Sequence, residues 1–231
     1  MKSHPSRRKT SAQRGFSLVE IMISTSLVSA LLTGVTSFLF QSLNIYQYDS
    51  GKLLVNRDIR SFTSEMTESA SYANYFLVFP TFADRTLSVD VGDSVVGYAS
   101  TIIDASLTEG QSGDFLLLVY TDPQHSSSIT GLIGYYRSPS NAEDPNSEGP
   151  VRRFEVTFPG GTSGDIWDLL PQVDTALDHP EVVELSQGLA DGKLFYNYLN
   201  RSIMVKGKIF HEGNLMRRAT NTYNFTVSPR G

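Results

Sequence analysis

Glu20 is the side chain whose setting most constrains its chemistry. It stands at the near edge of an uncharged run from Ile21 to Phe40, and a carboxylate placed in hydrocarbon costs at least ~2.5 kcal/mol unless it finds a partner. A buried carboxylate needs a cation, so Glu20 predicts a pairing site rather than a solvated surface acid. The remaining chemistry-bearing residues do not assemble into a catalytic set. His4, His125, His179 and His211 each stand alone in loop-like sequence and read as solvated or turn histidines; there is no His-x-x-x-His pair and no cysteine with which to build a zinc site. Gly188 to Lys193 contains a Gly-Lys pair without the spacing or the Ser/Thr of a phosphate-binding loop, and reads as a turn before Leu194 and Phe195. Asp165, Asp168, Asp174 and Asp178 crowd one stretch, and hard oxygen ligands of that kind suit calcium. They lack a ligand spacing and read as a solvated acidic face. No catalytic residue, metal or cofactor is expected.

The element that must position Glu20 is the run that follows it. The 20 residues from Ile21 to Phe40, rising about 1.5 Å each, span roughly 30 Å, the thickness of a bilayer's hydrocarbon core. This predicts a transmembrane helix. The leader ahead of it carries Lys2, Arg7, Arg8, Lys9 and Arg14 and no acid, which holds the leader on the cytoplasmic side. A secretory signal peptide would carry a shorter apolar region, about 7 to 15 residues, ending in small residues at a cleavage site. No Ala-x-Ala follows this run, so the helix is expected to stay in the mature chain.

Arg14-Gly15-Phe16-Ser17-Leu18-Val19-Glu20 resembles the processing site of type IV prepilins and type II secretion pseudopilins. The resemblance implies cleavage after Gly15 by a prepilin peptidase and methylation of the new amino terminus at Phe16. It also implies that Glu20 pairs in the membrane with the amino terminus of a neighbouring pilin or pseudopilin subunit and so guides assembly. Further on, Tyr135-Tyr136-Arg137 and Val151-Arg152-Arg153 loosely resemble the J-type pseudopilins and W-type minor pilins. Many type IV pilins staple their carboxy-terminal region with a disulfide and carry a proline in the membrane half of the helix. This chain departs from both patterns, which favours a minor over a major subunit.

Composition narrows the alternatives. Of 19 basic residues five lie in the leader, which has none of the 24 acids, so the rest of the chain has 14 bases against 24 acids and a net charge of −10. No nucleic-acid partner is expected, because a footprint on phosphates needs a basic surface. Without cysteine the body must hold itself by packing alone.

The helix is expected to continue beyond the membrane, from about Phe16 to Tyr72, roughly 85 Å at 1.5 Å per residue. Val55, Ile59, Phe62, Met66, Ala70 and Ala73 recur at steps of three and four, the spacing of one buried helical face. Gly34, Gly51 and the hydroxyl residues Ser24, Thr25, Ser26, Ser29, Thr33, Thr36 and Ser37 could soften or bend it, and the hydroxyl cluster reads as small residues that let membrane helices approach closely rather than as polar chemistry. After Pro80 the period becomes alternating. Phe115–Tyr120, Gly131–Arg137, Val151–Phe158, Ile203–Phe210 and Tyr223–Val227 read as strands, joined by polar turns. Their sheet is expected to be antiparallel, since no crossover helix separates the early strands. Ile166–Gly192, broken by Pro171 and Pro180, reads as short helices or irregular chain closing one end of the sheet.

The expected class is α+β, a pilin-like long helix packed on an antiparallel sheet. The expected segments are a leader (1–15), a transmembrane helix (16–40), its periplasmic continuation (41–74) and a periplasmic body (75–231), single-pass in the inner membrane. Two function classes follow: a minor filament subunit, or a membrane-anchored periplasmic enzyme or receptor that shares only the anchor. Gly15 and Glu20 separate them, because an anchor needs neither.

Overall fold

A computed structural model describes residues 15–85, 89–90, 95–96, 112–141, 144, 147–189, 192–199, 201–211 and 218–229. The basic leader, with His4, lies outside the described residues. Two compact units are distinguished, Met1–Tyr46 and Gln47–Gly231.

The first unit contains the opening turns of helix α1 (Leu18–Tyr72), and its described side chains are exposed from Gly15 onward. This is the one helix, among the described residues, long and apolar enough to cross a membrane. Its hydroxyls turn back onto the helix: Ser24 donates to Glu20 O at 2.7 Å, Ser29 to Thr25 O at 2.8 Å, Thr33 to Ser29 O at 2.8 Å and Thr36 to Leu32 O at 2.8 Å. Such bonds spare these hydroxyls an unmet donor in lipid.

In the second unit the end of α1 buries Gly51, Val55, Phe62, Met66 and Ala70, with Ile59 half-buried against the same cluster. The stripe expected from the spacing is the stripe observed. Phe62 is its anchor, meeting the rings of Tyr135, Tyr223 and Phe225 edge-on at centroid distances of 6.1, 5.9 and 5.9 Å, a geometry aromatic quadrupoles favour. Gly51 serves contact: a Cβ there would stand 2.9 Å from the Ala219 Cβ, so only glycine lets the helix approach the last strand this closely.

The strands are β1 (Tyr75–Phe79), β2 (Val89–Asp90), β3 (Val95–Val96), β4 (Ser112–Gly113), β5 (Phe115–Thr121), β6 (Ile129–Arg137), β7 (Gly149–Thr162), β8 (Glu181–Gly188), β9 (Phe195–Tyr198), β10 (Ser202–His211) and β11 (Ala219–Val227). A main sheet runs in the order β1-β5-β6-β7-β8-β10-β9-β4, with β11 also on β10, and β2 pairs separately with β3. Every pairing is antiparallel. β4 and β5 are separated only by Asp114, so the path that leaves β5 through β6 returns through β9 to the same segment of chain.

Both faces of the sheet are covered over β1, β5, β6 and β7. Against α1 lie Phe76, Val78, Leu116, Leu118, Tyr135, Val205 and Tyr223. On the other face Leu77, Phe79, Phe115, Leu117, Tyr136 and Phe154 form a second core with Phe82, Ile166 and Leu170. The stretch 166–192 therefore differs from the expectation. Helix α2 (Ile166–Leu169), capped by Asp165, and a 3-10 turn (Val173–Leu177) supply residues to the second core, and the stretch then contributes strand β8. β1, β8 and β9 escaped the alternation signal for different reasons. β1 is buried at four consecutive positions, while β8 turns the polar Ser186 inward and the short β9 turns Asn197 inward.

Candidate functional site

Gly15 and Phe16 precede the helix and are exposed, Phe16 at 79% of its surface. Among the described residues none packs over the bond between them. Ser17 stands at the cap: its carbonyl accepts the Ile21 N–H at 3.1 Å, and its N–H donates to Glu20 Oε2 at 3.4 Å. Ser-x-x-Glu is the capping-box spacing, in which the acid reaches back to the cap's backbone. That signal was present in the sequence beside the transmembrane reading. Glu20 thus lies in the first helical turn, where the unpaired N–H groups and the helix dipole favour negative charge. One long hydrogen bond leaves the exposed carboxylate with free lone pairs, so it keeps the capacity to take a cation from another molecule.

The remaining candidates do not gather with it. Asp165 caps α2, accepting from Trp167 N–H at 3.2 Å, and among the described residues no three His, Asp or Glu side chains come together to hold an ion. His125 is an exposed turn residue 3.9 Å from Asp122, and His211 lies 4.0 Å from Glu184 at a strand end. His179 is a correction. It is half-buried rather than solvated, with its Nδ1 2.7 Å from the Tyr136 hydroxyl and its ring 5.4 Å from that of Phe154. Burial holds the imidazole below its ordinary value. The Tyr136 hydroxyl donates to Ala176 O at 2.5 Å, which leaves its lone pair to accept from His179 Nδ1–H. Burial pushes that phenol up to about 12.

The most elaborate polar cluster was not legible in the sequence. Arg137, which ends β6, is fully buried and grips Asp114 with two prongs, Nη2 to Oδ2 at 2.7 Å and Nε to Oδ1 at 3.2 Å. The guanidinium also donates to Ser147 O at 2.5 Å and Gly192 O at 2.6 Å. Lys193 Nζ stands 3.6 Å from Asp114, and Leu194 N–H donates to Asp114 Oδ1 at 3.2 Å. Burial pushes the Asp114 carboxyl up, against the pull of Arg137 and Lys193. Asp114 is the residue between β4 and β5, so the cluster ties the closure of the sheet path to β6 and to the start of β9. Its groups are consumed in holding the fold.

An apolar helix long enough to cross a membrane, with an accessible cap carboxylate and a helix-on-antiparallel-sheet body after it, defines a pilin-like α+β protein. The family model described as the prokaryotic N-terminal methylation motif matches residues 10–36, so the chain carries the prepilin-type signature around Gly15, Phe16 and Glu20. No curated protein and no solved structure matches the chain.

Proposed function

We propose that this chain is a minor pilin or pseudopilin, a structural subunit of a type IV pilus or type II secretion filament. The observation that carries the reading is the methylation motif at residues 10–36, placed on an apolar helix whose cap carboxylate is exposed. In this reading the leader ends at Gly15, prepilin peptidase cuts there, Phe16 becomes the methylated amino terminus, and residues 16–40 span the inner membrane. Residues 41–74 continue the helix into the periplasm and 75–231 form the periplasmic body, which takes a place at or near the filament tip. Glu20 then pairs with the terminal amine of a neighbouring subunit, since each charge neutralises the other where neither is solvated. The protein acts by assembly with other pilins or pseudopilins rather than by catalysis. Replacing Gly15 with a bulky residue tests this: the precursor should accumulate in the membrane, uncleaved and fully inserted. Normal cleavage of such a variant would contradict the reading.

A further inference from the structure

Strand β7 outruns its neighbour. β8 pairs with it only at Gly149, Val151 and Arg152, and the last backbone bond on that side is from Arg153 N–H to Pro180 O at 3.0 Å. Successive residues of a strand direct their main-chain groups to opposite sides, so Glu155 and Thr157, in step with Arg153, turn theirs away from β6. Among the described residues no strand pairs with them there. The open register stops at Pro159, which has no N–H to offer. This leaves a short edge, long enough for a few residues and blunted against indefinite pairing.

The side chains of the same residues border a groove of about 540 Å³ on the α1 face of the sheet. Its floor is open because β6 has Gly131 there, where a Cβ would meet nothing closer than 3.4 Å. Its rim carries Glu65, Glu68, Glu155 and Arg153. Arg153 lies 3.1 Å from Glu65 and 2.6 Å from Glu155, so a single guanidinium serves two carboxylates, and with Glu68 the rim keeps an acidic surplus.

We propose that the edge of β7 at Glu155–Thr157 is a docking site for an extended segment of a partner protein bearing a lysine or arginine. The segment adds as a short antiparallel or parallel strand, and its basic side chain lies in the groove beside Glu68 and Glu155. Main-chain bonds supply the binding and the groove selects the residue. The site does not depend on the filament reading, because neither Gly15 nor Glu20 takes part.

The test uses the full chain in detergent micelles and two labelled hexapeptides, Thr-Val-Lys-Val-Thr-Val and the same sequence with glutamate in place of lysine. Fluorescence anisotropy should show the lysine peptide binding about tenfold more tightly or better, with the preference lost at high salt. Glu68→Lys, at an exposed position, should remove the preference while the protein stays folded. Thr157→Pro should abolish binding, because it deletes an N–H that the β6 ladder does not use. Should that variant misfold, amide exchange on the unaltered protein decides the matter: the lysine peptide should slow exchange at Glu155 and Thr157. Equal binding of the two peptides, no binding of either, or binding without protection of those amides would overturn the proposal.

Discussion

Replacing Arg137 with methionine isolates the contribution of the buried cluster. The substitution keeps most of the side-chain volume and removes the charge, leaving Asp114 in a site where its side chain is 2% exposed. Breaking a buried pair from one side costs ~3 to 5 kcal/mol. Two features set where in that range the cost falls. Asp114 keeps the Leu194 N–H and the Lys193 ammonium at 3.6 Å, which pulls the value down. The carbonyls of Ser147 and Gly192 lose a charged donor, and each buried orphan costs ~1 to 3 kcal/mol, which pulls it up. The expected loss is ~4 kcal/mol, a large share of the ~5 to 15 kcal/mol typical of a folded domain. Urea unfolding followed by circular dichroism measures it as a lowered midpoint at unchanged slope. The double variant Arg137→Met, Asp114→Leu should be no less stable than Arg137→Met alone, because no unpaired carboxylate remains and Lys193 is free to turn toward solvent. A single-variant loss below ~1 kcal/mol would refute this account of how the sheet closure is held, as would a double-variant loss equal to the sum of the singles.

Glu20→Gln should leave cleavage, insertion and the body untouched, since the amide oxygen still accepts from the Ser17 N–H, while co-purification with filament partners falls by roughly two orders of magnitude; unchanged recovery would show that Glu20 does not direct assembly. Phe62→Ala should cost ~3 to 5 kcal/mol in urea unfolding, because three aromatic rings lose their common neighbour. A fragment beginning at Gln47 should fold on its own with mixed helix and strand content by circular dichroism, since the compact unit begins there; a largely unfolded spectrum would contradict that. The folded pKa of His179 lies below that of the free imidazole, so the unfolded chain binds the extra proton first. Its contribution to stability should be complete above pH ~6.5 and decline as pH falls through that value toward the folded pKa, and His179→Phe should flatten this part of a stability-against-pH curve.

Residues that act through short-range rules were readable in the sequence. The stripe from Val55 to Ala73 follows from helical periodicity, and the alternation of Tyr223, Phe225 and Val227 from the pleat of a strand. The uncharged span and the acid at its edge follow from what hydrocarbon tolerates. What escaped depends on contacts distant in sequence. Asp114 and Arg137 are unremarkable apart; the β5–β6 register sets them opposite one another, and the distant carbonyls of Ser147 and Gly192 complete the buried cluster around them. His179 sits in loop sequence and is half-buried only because the chain ahead of β8 lies over the second core. β1 lacks alternation because α1 covers one of its faces and the second core the other. The methylation motif at residues 10–36 was legible from residue types and spacing, and the roles proposed for Gly15, Phe16 and Glu20 rest on it. The cap bond from Ser17 to Glu20 was equally local and is encoded in the Ser-x-x-Glu spacing.

Mass spectrometry of the protein recovered from membranes tests the central claim most directly, by reading the amino terminus. Processing as a prepilin predicts a chain that starts at Phe16 and carries a methyl group on its terminal amine. A mature chain that retains Met1, or one cut beyond Phe40, would contradict it.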